Sequence, residues 1–337
     1  MIRSRDNKIT TDVSYMFAHR LQHQDPNLNP KYEDAPVIQS GEIIGDFVVG
    51  ARLGEGSYAN VYSGTHLKTR EHVAIKAIYN VDSYRRDQVE TEIRMLQTLE
   101  NIDTVVKLLQ HSVWNECRVL VLPRLGPDFE ELWKRTARRR FARNTVCKIG
   151  YEVLNTIEAV HSFGILHRSI KLPNICMNNV FDQDSPVILI DMGMARDFII
   201  SNGKAVPVKE TRHPTYHLRD YSSLRSKINR NRYTPCDDVM QVMFMLLKAS
   251  GSTCAYEGED DAETDQRKEK LGSEPESIIP RRSLFLLEFV KRVHATEWEQ
   301  IPNYNGLRDL LKGATLDGGP LESWDIEESL DGIRRIL

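Results

Sequence analysis

The sequence is poor in cysteine, and what it has is scattered. Cys117, Cys147, Cys176, Cys236 and Cys254 are the five cysteines, with no C-x-x-C pair and no zinc-like spacing. That excludes a disulfide framework or a thiolate metal site and reads as reduced, buried thiols in a cytosolic or nuclear protein. Long apolar runs are missing too. The longest, Val239 to Leu247, is far too short to span a bilayer and reads as a buried helix. The basic start, Met1 to Asp6, leads into polar residues, so no secretory signal is expected. No internal repeat is visible, which argues against solenoids and propellers. Charge of one sign is not in excess, and a formal net charge of -3 decides nothing about nucleic acid by itself.

What is present fits a two-lobed unit with modest tails. The chain has 337 residues, 40% of them hydrophobic, enough for a sizeable core. Residues 1–40 are polar, with Asn27, Pro30 and Pro36 breaking any pattern, and read as a flexible extension with room for a short helix at 13–21. From Phe47 to Ile78 three β-rich runs follow one another, FVVGARL, ANVYSGTHL and HVAIKAI. Residues 84–99 switch to a helical period, with Val89, Ile93, Leu96 and Leu99 on one face. Strands are expected at 105–111 and 117–122, and helices at 128–139, 145–163, 237–250, 282–295 and 304–312. Short strands and a loop are assigned to 164–191, a Gly/Pro/basic segment to 193–235, and a solvated acidic insertion to 256–277.

Several motifs carry chemistry. Gly54-Glu55-Gly56-Ser57-Tyr58-Ala59-Asn60-Val61 sits between two strands; glycines there let backbone N–H groups approach phosphates, and Val61 can lie over a purine. A hairpin with no ligand would look alike, and Ala59 stands where a third glycine is usual. Val73-Ala74-Ile75-Lys76 places a single charge on the next strand. The helix after it offers Glu92 as a partner for Lys76. Glu90 is the rival, about 200° around the helix, so only one can face the same way; Ile93-Arg94-Met95-Leu96 after it favours Glu92. Then come His167-Arg168-Ser169-Ile170-Lys171-Leu172-Pro173-Asn174 and Ile190-Asp191-Met192-Gly193. Asn174 and Asp191 are hard-oxygen groups suited to Mg2+ against phosphates.

These four motifs, in this order and spacing, resemble those of the protein kinases. Leu125-Gly126-Pro127-Asp128-Phe129-Glu130-Glu131-Leu132, the run Ile157 to His167, Asp237-Asp238, and Pro302 to Arg308 are similar to the casein kinase 1 family, in particular its tau-tubulin kinase branch. The resemblance implies an α+β bilobal fold, a β-rich N-lobe with one main helix and a mainly helical C-lobe. It divides the chain into an extension at 1–41, a kinase-like domain at 42–325 (N-lobe 42–122, hinge 123–127, C-lobe 128–325) and a tail at 326–337. It implies ATP and Mg2+ as cofactors. Leu53, Gly54, Gly56, Val61, Ala74, Lys76, Glu92 and Leu125 would form the nucleotide site, with Leu122 as gatekeeper. Asn174 and Asp191 would hold the metal, Lys171 would neutralise the γ-phosphoryl, and Asp238 would brace the backbone at His167 and Arg168.

The chain departs from that family at one decisive place. Ser169 stands where the family has the aspartate that orients and deprotonates the substrate hydroxyl. A serine is neutral at pH 7 and too short to replace a carboxylate; general-base help is worth roughly 10²–10⁴ in rate. Asp182, Asp184 and Asp197 have no motif that would let them substitute. Met192 replaces the usual Phe, and the docking turn at Thr211 to Tyr216 is altered by Pro214. Two basic sets remain. Lys134, Arg135, Arg138, Arg139, Arg140 and Arg143 read as a solvated face. Arg212, Arg219, Arg225, Lys227, Arg230 and Arg232 lie where casein kinase 1 relatives hold anions, so the surface at 212–232 suggests an acidic or phosphorylated protein partner. Sparse aromatics (Tyr216, Tyr221, Tyr233) speak against nucleic acid.

Three functions are open on these grounds: a Mg-ATP-binding pseudokinase acting as scaffold or allosteric partner, a slow serine/threonine kinase, and an interaction module without nucleotide. Retention of Lys76, Glu92, Asn174 and Asp191 favours the first over the third; Ser169 favours it over the second.

Overall fold

In a computed structural model, residues 38–55, 59–79, 83–115, 117–178, 186–207, 220–228, 233–316, 321, 324, 326–328 and 334–336 are described. They fall into two compact units, one comprising residues up to 81 together with Leu109–Arg124, the other Asp82–Leu108 together with residues from 125 on.

The first unit is an antiparallel sheet. Its strands are β1 (Ile43–Ile44), β2 (Phe47–Glu55), β3 (Ala59–His66), β4 (His72–Tyr79), β5 (Gln110–Trp114) and β6 (Cys117–Pro123), in the order β1-β2-β3-β4-β6-β5. Alternation decides which side each residue takes. Tyr62, Val73, Ile75, Ala77, Tyr79, Val119 and Val121 project to one side and pack with Ile38, Ile44, Phe47, Val49 and Cys117 as a hydrophobic cluster. Across β3 and β4, Asn60 donates from Nδ2 to the Tyr79 hydroxyl. The strand expected at 105–111 is displaced. Val105 makes a single parallel bridge to Leu189, and the strand begins at Gln110. Its residues read as one strand because Val105, Val106, Leu108 and Leu109 are apolar, but Val105 and Val106 are spent on the second unit's core.

The second unit is mainly helical. Its helices are α1 (Ser83–Thr98), α2 (Phe129–Arg135), α3 (Arg143–Ser162), α4 (Leu224–Ile228), α5 (Pro235–Ala249), α6 (Asp261–Ser273), α7 (Pro275–Ile278), α8 (Leu287–Ala295) and α9 (Tyr304–Gly313). On α3, Val146, Ile149, Val153, Ile157 and Val160 are buried on one stripe, as its period dictates. Gly164 ends that helix at a φ of +71°, the left-handed conformation that stops helices. Helix α5 is buried almost throughout and starts from a capping box between Thr234 and Asp237. Short strands β7 (Ile165–Leu166), β8 (Ile175–Met177), β9 (Val187–Leu189), β10 (Arg196–Ser201) and β11 (Lys204–Pro207) carry the loops of interest; β8 pairs with β9, and β10 lies between β7 and β11. Among the described residues no helix is long and apolar enough to cross a membrane. Cys117, Cys147, Cys176 and Cys236 are buried thiols and Cys254 is exposed.

Three expectations are corrected here. The helix at 128–139 stops at Arg135, where Thr136 turns extended. The segment 193–235 contains the β10–β11 hairpin and α4. The acidic stretch 256–277 is not a solvated insertion, because it contributes to the core. Tyr256 is fully buried against Phe244, with ring centroids 4.9 Å apart, and Leu271 is fully buried on α6. Charge composition misled because the acidic residues line only the outer face of α6.

Lys268 follows α6 inward. Its ammonium lies 4.8 Å from the Phe244 ring centroid and donates to the Ser222 carbonyl at 2.8 Å. Burial pushes its pKa down to about 8, against the pull of Asp220 and Asp265. The folded chain therefore releases this proton before the unfolded chain does, and the contribution of Lys268 to stability rises with pH between about 8 and the ordinary 10.5. The gain is up to about 3 kcal/mol. Chemical unfolding of the wild type and of Lys268→Met across that window is expected to show the stability difference between them shifting in favour of the wild type as pH rises; a difference that stays constant with pH would show that Lys268 does not titrate there.

Candidate functional site

The β-unit gathers its expected residues on the side opposite the hydrophobic cluster. Cross-strand register sets Gly54 opposite Val61, Val61 opposite Lys76, and Lys76 opposite Leu120. In the next row Ser63, Ala74 and Leu122 are aligned. Because strand side chains alternate, Val61, Ala74, Lys76 and Leu122 share one face. Leu53 is buried beside Gly54 in β2, and Gly56 lies outside the described residues.

In the helical unit, Leu125 precedes a chain segment fixed by backbone pairing: Gly126 N–H donates to the Met177 carbonyl at 3.0 Å, and Met177 N–H to the Pro127 carbonyl at 3.0 Å. Gly126 suits this approach, since a Cβ there would lie 2.9 Å from the Asn178 carbonyl oxygen.

The segment from His167 to Asn174 is held from below by α5. Asp238 accepts the backbone N–H of His167 through one carboxylate oxygen and that of Arg168 through the other, both at 2.8 Å. It also accepts the Tyr233 hydroxyl at 2.8 Å and pairs with His161 Nε2 at 2.9 Å. His161 in turn bonds the Tyr304 hydroxyl through Nδ1. Burial pushes the Asp238 carboxyl up, but the bonds from His161 and Tyr233 and the nearby His161 and His167 outweigh it, leaving Asp238 below the usual carboxylate value. One turn along, Gln241 accepts Ile170 N–H at 2.7 Å and donates to the Arg168 carbonyl at 3.2 Å. The sequence reading missed Gln241. Its signal was there, as the one polar residue in the run Val239 to Leu247. Together these bonds hold Arg168 at a φ of +67°, a left-handed conformation that costs a non-glycine residue on the order of 1–3 kcal/mol.

Ser169 therefore occupies a fixed position. It is buried, its N–H donates to His167 Nδ1 at 3.2 Å, and Asn174 Nδ2 donates to its carbonyl at 2.7 Å and its hydroxyl at 3.0 Å. Lys171 is extended and half-buried, and its carbonyl accepts Asn174 N–H at 2.9 Å to start the turn Leu172–Asn174. Ile190 N–H donates to the Asn174 carbonyl at 3.0 Å, which brings Asp191 to the same loop. Asp191 has a φ of +70° and is half-buried. Helix α1 delivers Glu92 to it. A Cβ on Gly193 would lie 3.6 Å from a carboxylate oxygen of Glu92 and 3.6 Å from one of Asp191. Glu92 is buried whereas Glu90 is exposed. Met192 is fully buried in the turn that packs on α1.

Backbone bonds thus set the segment carrying Ser169, Lys171 and Asn174 beside the one carrying Asp191. Asn174 turns its nitrogen toward Ser169, and Asn174 and Asp191 are the hard-oxygen side chains of two segments joined by the Ile190–Asn174 bond, of the type that could hold Mg2+. Among the described residues no three His, Cys, Asp or Glu side chains form a metal cage. Asp197 is engaged elsewhere, in a two-point pair with Arg94 at 3.0 and 2.7 Å; Asp182 and Asp184 lie outside the described residues.

Of the basic set at 212–232, Arg225 pairs with Asp237 and sits 4.9 Å from the Trp298 ring centroid, and Lys227 pairs with Asp265 at 2.6 Å. Arg212, Arg219, Arg230 and Arg232 lie outside the described residues, as does the turn His213 to Tyr216. In the other set, Lys134 and Arg135 pair with Glu130 and Glu131 one turn earlier, and Arg143 bonds the Ala314 carbonyl.

Comparison with known proteins agrees with this geometry. A family profile, the protein kinase domain, matches residues 47–270. A probable serine/threonine-protein kinase of Dictyostelium discoideum is 25% identical over 294 residues, 86% of this chain and 58% of that protein. The chain thus spans little more than half of that relative's length. A probable casein kinase I homolog of Encephalitozoon cuniculi is 24% identical over 277 residues, 80% of this chain and 85% of the relative. The solved structure of vaccinia related kinase 3 is similar with a TM-score of 0.67 at 17% identity, over 86% of this chain and 96% of that one. That likeness speaks for the fold alone: a β-rich unit and a helical one, in an α+β arrangement.

Replacing Asp238 by Asn tests the loop's anchor. One acceptor oxygen becomes an NH2 facing an N–H donor, so a buried bond is lost and a donor left unmet. Denaturant unfolding is expected to show a loss of about 2–4 kcal/mol. A loss under about 0.5 kcal/mol, the range of neutral surface changes, would mean that the loop is held by other contacts.

Proposed function

This chain belongs to the protein kinase domain family, and we propose that within it the protein is a pseudokinase of the casein kinase 1 type, nearest the tau-tubulin kinases, that binds Mg-ATP and serves as a scaffold or allosteric partner. The observation that carries this reading is Ser169 itself. A hydroxyl stands where phosphoryl transfer calls for a carboxylate base, and it already accepts a hydrogen bond from Asn174. Every other chemical group of the set is retained in the sequence: Lys76 for the α- and β-phosphates, Lys171 for the γ-phosphoryl, Asn174 and Asp191 for Mg2+.

Bound Mg2+ would neutralise phosphate charge and orient the nucleotide. The chain's own residues would do the rest. By the family likeness Lys76 in the one unit and Lys171 in the other would each bind anionic oxygens, and N–H groups near Gly54 would approach phosphate. Val61, Ala74 and Leu122 supply apolar surface for a base. Ser169 neither takes a proton at pH 7 nor reaches as far as a carboxylate, so a substrate hydroxyl would stay protonated. The same retained set supports the alternative of a slow serine/threonine kinase, since a loose transition state leans on electrostatics more than on a base. A partner with acidic or phosphorylated segments would meet Arg212, Arg219, Arg230 and Arg232, in a cytosolic or nuclear setting that the dispersed thiols suit.

Melting in millimolar Mg-ATP tests the nucleotide half of this reading. Ligand at about 100 times its dissociation constant stabilises by roughly 2.7 kcal/mol, a shift of several degrees. The wild type is expected to shift and Lys76→Ala and Asp191→Ala to shift less. No shift in the wild type would leave only an interaction module.

A further inference from the structure

The basic run between α2 and α3 reads from sequence as a solvated face, but the fold adds a second basic segment to it. The two segments, distant in the chain, meet at Gly251, which follows α5 with a φ of +77°. A Cβ on Gly251 would lie 3.1 Å from the Cβ of Arg140 and 3.7 Å from Nε of Arg282. Arg138, Arg139 and Arg281 are their chain neighbours. Four of these five arginines are exposed, and Arg140 is half-buried. Among the described residues no carboxylate pairs with any of them. The acids of α2 are spent on other cations, Glu130 on Lys134 and Lys248 and Glu131 on Arg135.

Uncompensated like charges repel, yet the backbone keeps these side by side. Thr136 accepts Arg139 N–H through its carbonyl at 3.2 Å and Arg140 N–H through its hydroxyl at 2.9 Å. Phe141 N–H then donates to the Ala249 carbonyl at 2.8 Å, which ties the loop to the end of α5. Arg139 is left-handed, with a φ of +46°, and its guanidinium lies 5.9 Å from the Trp133 ring centroid. Arg282 donates to the Gly251 carbonyl from Nε at 3.0 Å and also from a terminal nitrogen. Two of the five heads are thus oriented in advance, which lowers the ordering cost of binding.

We propose that this surface docks a phosphorylated, acidic segment of a protein partner. All five cations are arginines, whose planar fork pairs with phosphate oxygens at two points; diffuse attraction to a lipid surface would be served as well by lysine. Trp133 is buried beneath Arg139 and offers no face for a base to stack on, which disfavours single-stranded nucleic acid. The proposal rests on neither the Mg-ATP reading nor the surface at 212–232, and it stands if either fails.

Arg138, Arg140 and Arg281 make no side-chain bond among the described residues, so replacing them breaks no described contact. The probe is a labelled short peptide of glutamates with two phosphoserines, titrated by fluorescence anisotropy against the full chain at about 0.15 M salt. The wild type is expected to bind it and to bind the unphosphorylated peptide at least about 10-fold more weakly. Replacing the three arginines by Gln is expected to weaken phosphopeptide binding about 10-fold or more, and replacing them by Lys about 3–10-fold. A control with Lys68, Lys270 and Arg292 changed to Gln removes equal charge elsewhere and is expected to stay near wild type. No binding by the wild type, equal binding of the two peptides, or equal weakening in the control would overturn the proposal. So would full affinity in the Lys variant, which would reduce the surface to diffuse charge. Phosphatidylserine vesicles or a single-stranded RNA that bound more tightly than the peptide, through the same three arginines, would also overturn it.

Discussion

Asp238 carries no chemistry of its own, yet the two oxygens of its carboxylate fix the backbone N–H groups of His167 and Arg168, and the loop above depends on them. Buried carboxylates are costly unless every lone pair is used. Here Tyr233 and His161 complete the set, and Tyr304 on α9 in turn holds His161. Elements distant in sequence thus converge on one anion. The result is a backbone held in a left-handed turn at Arg168 and a residue 169 whose direction is set before any ligand arrives.

That geometry explains why a serine there is informative. Had the loop lost its anchor, Ser169 would be one change among many in a decayed site. Instead the anchor, the turn at Leu172–Asn174, and the approach of Glu92 and Asp191 are all in place around a serine. On the proposed reading the base is absent and its mounting is kept. His167 is consistent with this. Burial lowers its pKa, against the pull of Asp238 and Asp191, and both ring nitrogens are engaged, Nδ1 by Ser169 N–H and Nε2 by the Ile190 carbonyl.

Most of this was legible in the sequence, for identifiable reasons. Strands β2 to β4 and helices α1, α3, α5 and α9 have clear periods, and the loop residues carry their chemistry in their identities. The role of Asp238 came only through the family likeness, because nothing in a linear chain says that a carboxylate will meet two N–H groups about seventy residues away. Gln241 went unnoticed because a lone amide in an apolar run looks like an accident until its two backbone partners are seen. The stretch 256–277 was misjudged for the opposite reason. Its composition is charged, and only the spacing of Tyr256, Thr264, Lys268 and Leu271 tells which side is buried. The bond from Asn174 to the Ser169 hydroxyl could not be foreseen, since it depends on which way an amide turns.

The account turns on whether a carboxylate at position 169 can be dispensed with, and single-turnover transfer of labelled γ-phosphate to an acidic casein-like substrate asks this directly. Wild type, Asp191→Ala and Ser169→Asp would be compared at saturating Mg-ATP. The expected result is a wild type no faster than Asp191→Ala, with Ser169→Asp above both. Asp191-dependent transfer by the wild type at the rates of an ordinary kinase, on the order of 1–100 per second, would contradict the pseudokinase reading.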